Sequence, residues 1–87
     1  MDIIIAEKIH KSLEMNSSAT EFIDEINGID EKDFIVNFEG VIFISLSFAQ
    51  AYWAGKLKSS KNISEINLSE EVKPMMDLVE KRFMENI

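Results

Sequence analysis

Between Asp33 and Gly55 the hydrophobic period of the chain changes once, from extended to helical, and that change limits the folds open to it. Phe34, Ile35, Val36 and Phe38 are aromatic or β-branched and form a nearly continuous apolar run, the pattern of a strand buried on both faces. Glu39-Gly40 is a turn signal. Val41 to Ile44 reads as a second extended piece. Ser45 or Ser47 can then cap a helix from Phe48 to Leu57, which carries Ala49, Ala51, Ala54 and Gly55 at helical spacing. Ser47 is expected at the cap or within one residue of it, with its hydroxyl near the surface. A buried strand leading into a serine-capped helix puts those serines at the carboxyl end of a sheet. Open α/β folds meet ligands and partners there.

The flanking segments extend the alternation. Ile3, Ile4 and Ile5 make a first strand over Asp2 to Ala6, and residues 7 to 15 form a short strand or an irregular connection. Ser18 and Glu21 have the spacing of a capping box. Ala19, Phe22, Ile23 and Ile26 supply the apolar face of the helix behind it, and Asn27-Gly28 ends that helix with glycine in the left-handed position. Asn62 to Leu68 alternates in the manner of a strand. The last helix opens at Ser69-Glu70-Glu71 or nearer Pro74, and Val72, Met75, Met76, Val79 and Phe83 form its stripe. The expected architecture is a single α/β domain over residues 1–87. Its sheet has three or four strands, mostly parallel or mixed, and is covered by three helices, with residues 34–38 as the central strand. An antiparallel strand from residues 7–15 would make the sheet mixed.

Charge narrows the partners. Sixteen acids against nine bases leave a net charge of −7. Direct nucleic-acid binding needs clustered lysine and arginine, and an anionic membrane surface repels such a chain. No apolar run approaches the ~20 residues that span a bilayer, and cysteine is absent, which fits a cytoplasmic protein without disulfides. Lys56, Lys58 and Lys61 read as complements to the negative end of the helix before them, or as a small basic patch for an acidic partner.

No catalytic constellation emerges. The lone His10 has no second histidine or carboxylate cluster beside it in sequence and reads as an ordinary surface residue. Gly28, Gly40 and Gly55 are isolated, so no phosphate-binding loop is present, and there is no G-x-S-x-G elbow. Glu70-Glu71 and the Glu31/Asp33 pair are more simply solvated charges than a metal or acid–base site. Neither an enzyme activity, a metal nor a cofactor is expected.

The run I-V-N-F-E-G-V-I-F-I-S-L-S-F-A at residues 35–49, followed by N-L-S-E-E-V at 67–72, resembles the STAS-like domain family of bacteria and their phages. That family is of unknown function and distantly related to the STAS domains of anti-sigma factor antagonists. The resemblance covers residues 34–83 well and the first third loosely. Asn37 stands where the STAS-like pattern has aspartate. Against the antagonist pattern D-S-S-G, Ser47 falls on the phosphorylated serine, Ser45 replaces the aspartate and Phe48 replaces the glycine. The resemblance implies a non-catalytic regulatory module that binds another protein, a GHKL-type ATPase or anti-sigma-like kinase, under control of phosphorylation. Ser47 and Ser45 are the candidate phosphoacceptor or contact serines. Glu39, Gly40, Leu46, Phe48 and Tyr52 are the candidate interface. Tyr52 and Trp53 are adjacent on one helix and cannot share one face, so one packs on the sheet; burial of the other in the core or at its boundary is favoured over exposure as an interface anchor. The competing expectation is an acidic phage or mobile-element inhibitor that mimics nucleic acid and blocks a nucleic-acid-binding protein. Carboxylates gathered on one face would favour it.

Overall fold

A computed structural model describes residues 1–85. The elements are β1 (Asp2–Ile4), α1 (Ile5–Lys8), β2 (Ser12–Leu13), α2 (Asn16–Asn27), β3 (Asp33–Asn37), β4 (Phe43–Ile44), α3 (Leu46–Lys58), β5 (Asn62–Ile66) and α4 (Lys73–Glu85). Two small sheets form in place of one. The larger is parallel, in the order β1-β3-β5, with Ile35 of the central strand beside Asp2 on one side and Ser64 on the other. The smaller pairs β2 with β4, Ser12 beside Phe43 and Leu13 beside Ile44, and it too is parallel. Of the two readings of residues 7–15 the strand is realised, over Ser12–Leu13, but it is parallel and lies outside the larger sheet, so no mixed sheet forms. The first strand ends at Ile4 and not at Ala6, and Ile5 opens a single helical turn that drops its side chain fully into the core, so the described residues hold four helices where three were expected.

Strand order in the larger sheet follows chain order. Right-handed crossovers between parallel neighbours then carry α2 and α3 to the same face. The burial pattern agrees: Ile3, Phe34, Val36 and Ile63 are buried, while Ile4, Ile35 and Ile66 on alternate positions are each more than a third exposed. One face of the sheet is thus open, and the expectation that β3 is buried on both faces fails. The least extent of 21 Å fits one helical layer on one sheet. Helix α3 packs against both α2 and α4, which explains its apolar residues all round.

Local signals hold in some places and yield in others. Val41 N–H donates to Phe38 O across Glu39-Gly40, and Gly40 has φ +84°, a conformation that glycine adopts without strain. Gly55 faces the middle of α2, where an added Cβ would lie 3.1–3.2 Å from three side-chain atoms of Ile23. Helix α4 begins at Lys73, after a turn in which Ser69 O accepts from Val72 and Lys73. Pro74 is then its second residue, where no intrahelical N–H is missed. Ser18 is not the cap of α2. That helix starts at Asn16, capped by Met15 with no side-chain bond, because β2 delivers the chain to it early. Gly28 ends it at φ −84°, not left-handed, with its N–H donating to Asp24 and Glu25 carbonyls.

Candidate functional site

The two serines at the start of α3 have different surroundings. Ser45 is the N-cap: its Oγ accepts from Phe48 N–H at 3.0 Å and donates to Glu14 O at 2.7 Å. Its own N–H donates to Leu13 O at 2.8 Å. Ser45 therefore ties the β2–α2 connection to the helix, and its hydroxyl is occupied in both directions. Ser47 lies two residues inside the helix, beyond the cap position expected for it, and is exposed. The cap fell to Ser45 because β4 ends at Ile44, paired with Leu13, and the turn into the helix follows immediately.

Ser47 lines a cleft of about 530 Å³ with Asn16, Gln50, Arg82 and Phe83. Arg82 is the chain's single arginine and sits in the last turn of α4. Sequence order gave no sign of this meeting, since 34 residues separate the two positions between Ser47 and Arg82. The cleft runs along α3 from Ser47 to Ala54, and its Ser47 end lies in the first turn, at the positive end of the helix dipole, where Phe48 N–H has the Ser45 side chain as acceptor.

An apolar surface flanks this end of α3. Ile42 is 58% exposed, Phe43 48%, Leu46 39% and Met15 65%. The β2–β4 register gathers them: Ile42 N–H donates to Lys11 O, Phe43 lies beside Ser12, and Leu46 and Met15 follow the bonded pair Ser45–Glu14. A β-strand that ends in a helix cap has no solvent-facing need for phenylalanine. Phe43 and Met15 are exposed apolar residues that sequence reasoning did not single out. For Phe43 the signal was the alternation of β4, hidden because its neighbours are apolar as well; Met15, just before α2, carried none.

The remaining predicted residues divide. Glu39 and Gly40 are exposed at their turn, with Glu39 N–H held by Asn37 Oδ1 at 2.9 Å. Phe48 and Tyr52 are fully buried and belong to the core. Trp53 is buried too, so neither aromatic is an exposed interface anchor and Tyr52 drops out of the candidate interface. The cause is the position of α3 between two helices and the sheet, which gives adjacent positions something to pack on. Tyr52 stacks near Phe22 and meets Phe38 edge-on at 6.0 Å. His10 is exposed and accepts Ser12 N–H at Nδ1, a local turn contact. Among the described residues no group of three or more His, Asp or Glu could hold a metal ion, and no helix is long and apolar enough to cross a membrane.

No protein-family model, no curated protein and no solved structure matches the chain.

Proposed function

We propose that the chain is a regulatory module without catalytic activity of its own, which binds another protein through the start of α3 and is switched by phosphorylation of Ser47. The observation that carries this reading is the contrast between the serines. Ser45 is locked into the cap, whereas Ser47 is exposed in a cleft shared with Arg82, and Met15 and Leu46, the residues just before its lining positions Asn16 and Ser47, are exposed and apolar. An apolar patch beside a modifiable hydroxyl is what a switchable protein interface needs. A phosphate on Ser47 adds about −2 charge, beside the α3 N-terminus and within reach of the cleft that Arg82 lines. The resemblance of residues 34–83 to STAS-like domains points the same way. It makes a GHKL-type ATPase or anti-sigma-like kinase the partner class, acting in the cytoplasm.

The acids speak against nucleic-acid mimicry as the mode of action. They fall on elements throughout the chain, from Asp2 on β1 to Glu85 on α4, and Glu25, Glu65, Asp77 and Glu85 each stand beside a lysine.

The test is calorimetric titration of a GHKL-type ATPase of the same cell with the parent protein, Leu46→Glu and Ser47→Asp. Both variants are expected to keep the parent melting temperature and to bind at least tenfold more weakly. Unchanged binding by both variants would remove this surface from the interface.

A further inference from the structure

We propose a second binding site: the groove between β1 and α2 accepts an extended segment of a partner protein, added as a fourth strand beside β1. This site lies on the sheet edge formed by β1 and does not depend on the α3 surface.

Three observations carry it. The first is the edge itself. β1 pairs only with β3 among the described residues. Ile35 N–H donates to Met1 O at 2.9 Å, and successive strand residues direct their amides to opposite edges. The backbone N–H groups of Asp2 and Ile4 therefore point away from β3, toward the groove. The second is the groove, about 430 Å³, with Ile3, Phe22, Ile26 and Ile29 along its apolar wall. A strand laid 4.7–4.9 Å from β1 would turn alternate side chains onto that wall, the arrangement of strand addition to a sheet edge. The third is charge. Asp2, Glu7 and Glu25 stand at the rim against two cations that are already engaged, the Lys8 ammonium bonded to Glu25 at 2.8 Å and the Met1 ammonium bonded to Asp33 O at 2.7 Å. The occupant is thus apolar at alternate positions and basic beside them. A second copy of this chain fits poorly, since two acidic rims on chains of charge −7 would meet. The shortness of β1 and its aspartate are the ordinary protection of an edge against indiscriminate pairing.

The probe is an acetylated and amidated peptide of about eight residues, alternating valine and lysine. Its control replaces lysine by glutamate. Binding is followed by amide NMR and hydrogen exchange on the full chain. The valine–lysine peptide is expected to shift the amides of Asp2 and Ile4 saturably and to slow their exchange about tenfold, while the glutamate peptide does neither. Glu25→Lys, on an exposed helix position, should weaken binding about tenfold. Asp2→Pro removes one outward N–H without touching the ladder to β3, and should weaken binding with the melt unchanged. Absence of binding, equal binding of both peptides, or shifts confined to other surfaces would overturn the proposal. So would a dimer in sedimentation that Asp2→Pro dissolves, because the edge would then take a second copy.

Discussion

The Tyr52 hydroxyl on α3 donates a 2.7 Å hydrogen bond to Oε2 of Glu65 on β5. Lys56, one helical turn on, reaches both oxygens of the same carboxylate at 2.9 Å and lies 4.3 Å from the centre of the Trp53 ring. Glu65 occupies a position on β5 that faces the helices, as Ile63 does two residues earlier. A carboxylate there is tolerable only because three donor contacts and a cation replace water. The trio fastens the last strand to the central helix.

Alkaline stability should depend on Tyr52. Burial first, then the Glu65 charge and the hydrogen bond to it, push the Tyr52 pKa well above the ordinary value of 10.0. The folded state then holds its phenolic proton at a pH where the unfolded chain has lost it. The associated stability is fully present below about pH 10 and declines above that value. Tyr52 is the only tyrosine, so tyrosinate absorbance reports it alone. The absorbance should rise together with unfolding, not before it. A titration near pH 10 in the folded protein would show that the hydroxyl is solvated.

Tyr52→Phe should cost about 1–2 kcal/mol in urea unfolding at neutral pH, since Glu65 loses a donor but keeps Lys56. The variant should also lose part of the alkaline decline. A neutral-pH cost below about 0.5 kcal/mol would mean that water replaces the hydroxyl.

The two serines should separate cleanly in denaturation. Ser45→Ala loses the cap of α3 and leaves Glu14 O without its donor, and should cost about 1–2 kcal/mol. Ser47→Ala should change stability by no more than about 0.5 kcal/mol. Equal costs would mean that Ser47 has a structural bond in solution.

Gly55→Ala should destabilise the protein, although alanine favours a helix by about 1 kcal/mol. The new methyl meets Ile23 at 3.1–3.2 Å, including its Cβ, and a β-branched residue in a helix has little freedom to turn aside. A net loss of about 1 kcal/mol is expected in thermal melts. A gain would show that α2 can shift away from α3.

Phe38→Ala should cost about 3–5 kcal/mol. Phe38 is 1% exposed, and its ring meets Tyr52 edge-on. Chemical denaturation measures it, and a loss below about 1 kcal/mol would place the ring outside the core.

Short-range patterns determined much of this protein from sequence alone. The places of the three long helices and of strands β1, β3 and β5, and the turn at Glu39-Gly40, rest on preferences within a few residues, which survive whatever packs around them; the short helix α1 was not among them. The exposure of Ser47 was legible for the same reason, at the point where the apolar period breaks. Tertiary structure decided the rest. The open face of the sheet follows from strand order, which apolar periodicity does not encode: Ile35 reads as core in a run of apolar neighbours, yet one-sided crossovers leave it uncovered. Pairing of β2 with β4 chose Ser45 over Ser47 as the cap and moved the start of α2 ahead of Ser18. Burial of Tyr52 together with Trp53 needed walls on two sides of α3, and the cleft of Ser47 and Arg82 needed α4 to fold back beside it. Each of these depends on contacts between residues far apart in the chain, where local propensity carries no information.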